Sequence, residues 1–107
     1  DCFREHTGSN VKAGTFYGLS LGTVDGQYVQ WPFDTDNPVH LAKFAGRTVT
    51  FGCWMKSDNS SSGIIIDQND GSTVTATHTG GGSFEWLECT DTVATDVDEF
   101  KINICGD

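Results

Sequence analysis

Apolar and polar side chains alternate with a period of two along most of this chain, broken by turn residues about every ten positions. The clearest stretch is 47–56, where Val49, Phe51, Cys53 and Met55 share one face and Thr48, Thr50, Gly52, Trp54 and Lys56 share the other. Burying an apolar face is worth roughly 25 cal/mol per Å². The uniformly apolar side must therefore meet a core, and Trp54 and Lys56 turn outward. Residues 15–21 also alternate, with Tyr17, Leu19 and Leu21 on one side. A strand over 26–31 follows the Asp25-Gly26 turn and sets Val29 and Trp31 against Tyr28 and Gln30. The short apolar run 64–67 leads through Asn69-Asp70-Gly71, a hairpin turn, into a strand over 72–78.

The stretch 84–92 carries a conflict of parity. Leu87 and Cys89 lie on one face, Phe84, Trp86 and Glu88 on the other, so either large aromatics are exposed or a bulge switches faces. The last strand, 99–105, aligns Phe100, Ile102 and Ile104. One helix of about two turns is expected over 38–45, with Val39, Leu41 and Phe44 roughly on one side and Gly46 as its stop. Seven or so short strands, Gly-rich turns and no crossover helices predict an all-β fold, a two-sheet antiparallel β-sandwich or jelly roll.

The chain has 107 residues, the size of one domain, and its seven Phe, three Trp and two Tyr suffice for a core. Fifteen acidic residues against six Lys and Arg give a formal charge of -9. That charge repels phosphate backbones and anionic lipid surfaces, so neither nucleic acid nor membrane is an expected partner. No apolar run approaches the roughly 18 residues of a membrane span. The start at Asp1 suggests a chain processed or excised from something longer.

Cys2, Cys53, Cys89 and Cys105 lack the close spacing of a zinc site. An even number in a small domain reads as disulfides formed in an oxidising compartment, with three pairings open. Four buried thiols acting as small hydrophobes is the competing reading.

Catalytic patterns are weak. Glu85 and Glu88 are three apart, hence on opposite faces of a strand, and do not flank one glycosidic bond. His6, His40 and His78 sit in unrelated contexts, with neither a GxSxG elbow nor an HExxH pair nearby. A non-enzyme is expected. Asp67, Asn69 and Asp70 resemble a fragment of a calcium loop, but the EF-hand spacing is absent and a turn explains them better.

Outward aromatics beside amides and charges make the strongest constellation. Sugars offer apolar C–H faces for Trp and Tyr rings and a rim of hydroxyls for Gln, Asn, Asp and Lys. Tyr28, Gln30, Trp54, Lys56 and Trp86 fit that chemistry, although Trp86 also reads as a core residue.

The stretch Phe44-Ala-Gly-Arg-Thr-Val-Thr-Phe-Gly-Cys-Trp-Met-Lys56 resembles the "GKTYTFSFWVK" strand of carbohydrate-binding modules of the family four and nine type. Phe84-Glu-Trp-Leu-Glu-Cys-Thr-Asp-Thr-Val93, then Phe100-Lys-Ile-Asn-Ile104, is similar to that family's late strands, and Gly14-Thr-Phe-Tyr-Gly-Leu-Ser-Leu21 to its early one. The resemblance implies a galactose-binding-like jelly roll that binds polysaccharide outside the cell. Similar modules also occur in phage tail and virion-surface proteins, where such a domain would be a decoration or fibre module, or an adhesin, assembling with other subunits. In such modules Tyr28 and Gln30 fall on a strand facing the binding cleft, Trp54 falls on its neighbour, and Trp86 opens a late strand.

Members often carry a structural calcium, the one cofactor the resemblance implies. The family's opening and closing strands, which help hold it, have no counterpart here, which suits a segment of a longer protein. Cys53 replaces an apolar core residue of the family strand, and Cys89 sits on the apparent core face too. Bridges between Cys53 and Cys89 and between Cys2 and Cys105 are therefore expected, from matching faces and from the closeness of the termini.

Overall fold

A computed structural model describes residues 2–5, 7–9, 11–14, 18–21, 28–34, 38–69 and 71–105. The chain is mostly β, with eight strands and one short helix among these residues. In chain order they are β1 (Cys2–Glu5), β2 (Gly18–Leu21), β3 (Tyr28–Asp34), α1 (Pro38–Phe44), β4 (Thr48–Lys56), β5 (Gly63–Gln68), β6 (Ser72–Thr77), β7 (Phe84–Thr92) and β8 (Glu99–Cys105). All pairings are antiparallel. They make a four-stranded sheet in the order β3-β8-β5-β6, a ribbon of β4 and β7, and a second ribbon of β1 and β2. Residues 15–17 of the first expected strand and the Asp25-Gly26 turn lie outside the described residues.

The period-two alternation is realised as two packed layers. Phe100, Ile64 and Ile66 from the four-stranded sheet are fully buried, and Leu87, Cys89 and Val93 meet them from the ribbon side. Val49, Phe51, Cys53 and Met55 pack against that cluster from β4, as their parity requires. Trp31 of β3, 44% exposed, sits at the margin of the core with its ring 6.3 Å from that of Phe51. An aromatic wedge closes one end of the core. Phe33 stacks on Phe100 at 4.6 Å, and Phe44 of α1 meets both edge-on at 5.1 and 5.2 Å.

α1 ends where expected. Gly46 takes a φ of 77°, which a residue with a Cβ adopts only with strain, and its N–H donates to the Val93 carbonyl at 2.8 Å. The expected apolar side of this helix needs one correction. Leu41 is buried and Phe44 packs on the core, but Val39 is 69% exposed, because residues two apart on a helix do not share a face.

β3 continues through Pro32 to Asp34, beyond the expected end at Trp31. It is an edge strand, the one place in a sheet where a residue without an N–H is tolerated.

Buried polar groups lock the layers together. Gln68, at the end of β5, donates to Asp91 Oδ2 at 2.7 Å and to the Thr92 carbonyl at 3.0 Å, and accepts from the Ala94 N–H at 2.9 Å. Among the described residues no helix is long and apolar enough to cross a membrane.

Candidate functional site: the outer face of the β4–β7 ribbon

The β4–β7 register runs unbroken from Thr48 opposite Thr92 to Lys56 opposite Phe84. There is no bulge, so the parity conflict in 84–92 resolves by exposing the aromatics. Trp54 and Trp86 are directly opposed on the outer face, 51% and 50% exposed. Their rings are 5.7 Å apart and inclined at 64°. They form a corner, not a flat floor. A flat ligand can lie on one indole and abut the edge of the other.

Gly52, two residues before Trp54, has no side chain, and the Trp86 indole lies over the space a Cβ would take. The indole Nε1–H donates to Glu88 Oε2 at 2.9 Å, which fixes the ring's orientation and leaves an exposed carboxylate beside it. Beyond Gly52 the face continues as two hydroxyl rungs, Thr50–Thr90 at 2.8 Å and Thr48–Thr92 at 3.0 Å. Apolar rings, a carboxylate and a row of hydroxyls thus share one exposed surface.

Ser9 and Lys12, from the segment before β2, approach the Trp54 end. Lys56 Nζ donates to the Ser9 carbonyl at 2.7 Å, and the Lys12 ammonium stands 4.3 Å from the centroid of the Trp54 ring. Lys56 is thus engaged with this segment, a role that sequence reasoning did not assign. Gly52 and Glu88 share parity with Trp54 and Trp86, and this signal was available in the sequence. Lys12 had none.

Tyr28 and Gln30 do not join this face. Since Trp31 points inward to Phe51, its strand neighbours point away, to the outer surface of the other layer. There Tyr28 is 56% exposed, and Gln30 Nε2 donates to Asn103 Oδ1 at 3.1 Å. The expected five-residue site is therefore split, with Trp54, Lys56 and Trp86 on one side of the molecule and Tyr28 and Gln30 on the opposite side.

The expected disulfides are not formed. Cys53, Cys89 and Cys105 carry free thiols, and the side chain of Cys2 lies outside the described residues. Cys53 faces Leu87 and Cys89 faces Phe51. The two thiols are diagonal neighbours, and a diagonal pair is about 7–8 Å apart, farther than a bridge spans. Burial pushes all three thiols above their ordinary pKa.

Among the described residues no group of three or more His, Cys, Asp or Glu is placed to hold a metal. Asn69 Oδ1, part of the calcium-like fragment, instead accepts the backbone N–H groups of Asp98 and Glu99 at 3.0 and 3.1 Å. Its φ of 51° makes the turn.

Glu85 and Glu88 do lie on opposite faces. Glu85 closes a polar knot with the buried His78. Thr79 donates to it through its N–H at 3.1 Å and through its hydroxyl, and His78 Nε2 is 3.4 Å away. Gly80 N–H donates to His78 Nδ1 at 2.9 Å, so Nε2 carries the proton and donates to the Ser83 carbonyl at 2.9 Å. Both ring nitrogens are thus spent on holding the 78–83 loop.

No protein-family profile, curated protein sequence or solved structure matches this chain.

Proposed function

We propose that this chain is a non-catalytic carbohydrate-binding module with a galactose-binding-like jelly roll, acting outside the cell or on a virion surface. The observation that carries the reading is the exposed Trp54–Trp86 corner, oriented by Glu88 and continued by threonine hydroxyls. An indole covers the C–H face of a pyranose, and the neighbouring carboxylate and hydroxyls meet its hydroxyl rim. The corner is pre-formed, so little ordering is needed on binding. The similarity of the 44–56 and 84–93 stretches to family four and nine modules points the same way.

Retention of the protein in native gels containing soluble β-glucans, read together with Trp emission, tests this. Trp54→Ala and Trp86→Ala should abolish retention with the fold intact, whereas Tyr28→Ala on the opposite layer should not. Retention that survives Trp54→Ala removes the site.

A second reading rests on Tyr28 being exposed on the layer opposite Trp54. Two exposed aromatic faces suit a decoration, fibre or adhesin module with a neighbour on each side. A stable oligomer in solution, with no response to glycans, would favour it.

A further inference from the structure

The aromatic corner is not empty-handed: one of its two rings already has a cation seated on it. We propose that Ser9 and Lys12 anchor a strap over the Trp54 half of the corner and that Lys12 is an intramolecular competitor which a glycan must displace. This rests on the carbohydrate reading for its ligand, and on geometry alone for the strap. Two contacts tie the segment down. The Ser9 carbonyl accepts from Lys56 at 2.7 Å, and the Lys12 ammonium lies 4.3 Å from the Trp54 centroid. Lys56 and Trp54 are both on the outer face of β4, two residues apart and therefore on the same side. One short segment thus grips the strand at two successive outward positions.

A ring face covered by an ammonium cannot also cover a sugar. The competition is between charge and apolar contact. Lys12, half-buried, holds the ring through the electrostatic attraction of its ammonium for an indole face, while a neutral pyranose holds it by burying C–H surface. The Trp86 indole, turned by 64° and held by Glu88, is not part of this contact. Glycan affinity is then reduced by the fraction of time that the strap is down. Salt acts in the unusual direction. It screens the strap's contacts and leaves neutral-sugar contacts in place, so retention on a neutral glycan tightens as salt rises.

The experiment pairs a ligand-free readout with a binding readout. Lys12→Ala should increase quenching of Trp emission by a neutral quencher, and that increase should vanish in a Trp54→Phe background, where the reporting ring is gone. The same variant should bind a soluble neutral β-glucan about two- to fivefold more tightly, as expected for loss of a cation–π contact that is not fully desolvated. It should also lose the salt-dependent tightening, whereas Lys12→Arg should keep wild-type behaviour. Unchanged quenching in Lys12→Ala overturns the strap, whatever the glycan does. Increased quenching with weaker glycan binding makes Lys12 a ligand contact and overturns the competition. If no glycan binds any variant, the carbohydrate reading fails, while the quenching result alone still decides whether the strap is there.

Discussion

Gly52 and Trp86 are complementary across the β4–β7 ribbon: the missing side chain of one is the seat of the other's indole. A methyl group at Gly52 would overlap the Trp86 ring, and the atoms it meets are the far edge of an exposed side chain, not backbone. The ring can therefore swing away cheaply. Gly52→Ala should change stability by less than about 1 kcal/mol yet shift Trp emission and abolish glycan retention. Denaturant titration alongside gel retention separates the two effects, and a variant that keeps retention would show that the seated ring is not needed.

Gln68 is the point where the two layers are bonded through one side chain, with three hydrogen bonds to the β7 end. Gln68→Ala leaves the Asp91 carboxylate and the Ala94 N–H without this partner in a part-buried site. A loss of about 2–4 kcal/mol in urea unfolding is expected. Gln68→Glu should also destabilise, because it sets a second carboxylate against Asp91.

Glu85 gives the protein an acid-sensitive element. The Thr79 hydroxyl, then the Thr79 N–H and the nearby His78, hold its carboxyl below the ordinary value of 4.5, outweighing partial burial. A carboxylate with a lower pKa folded than unfolded adds stability above the unfolded value and loses it as pH falls through the folded one. The thermal midpoint should fall on acidification below the ordinary carboxylate range. Glu85→Gln should flatten that fall, and Thr79→Val should do so in part. Identical profiles for wild type and Glu85→Gln would rule this element out.

Cys53, Cys89 and Cys105 are free and held above their ordinary pKa by burial. In the native protein they should alkylate at least roughly tenfold more slowly than in denaturant, since the thiolate is the reactive form. Denatured without reductant, all three should label. A mass that lacks these adducts would mean that bridges form after all.

Much of the fold was legible in the chain itself. The apolar set Val49, Phe51, Cys53 and Met55, and the set Phe100, Ile102 and Ile104, announce their inner faces by strict alternation, and both pack on the core. Alternation tells which side of a strand a residue takes, but not which layer the strand joins. That is why alternation alone groups Tyr28 and Trp54, both turned outward, in one site although they lie on opposite sides. β1 gave no warning, since Cys-Phe-Arg-Glu is too short to show a period. Gln68 and His78 are polar residues in buried positions, justified only by partners remote in sequence or bent round in a loop. The diagonal offset of Cys53 and Cys89 is likewise a property of register, which depends on how β4 and β7 are paired.

Pro32 decides how the four-stranded sheet can meet other chains. Its edge strand β3 lacks an N–H at that position, so the edge is a poor template for strand addition. The opposite edge, β6, is six residues of Ser, Thr, Val and Ala with neither proline nor charge. A sheet with one receptive edge and one blunted edge can pair once, edge to edge, with a second copy. Among the described residues, this sheet does not propagate through its own two edges, because that pairing uses the one edge without proline.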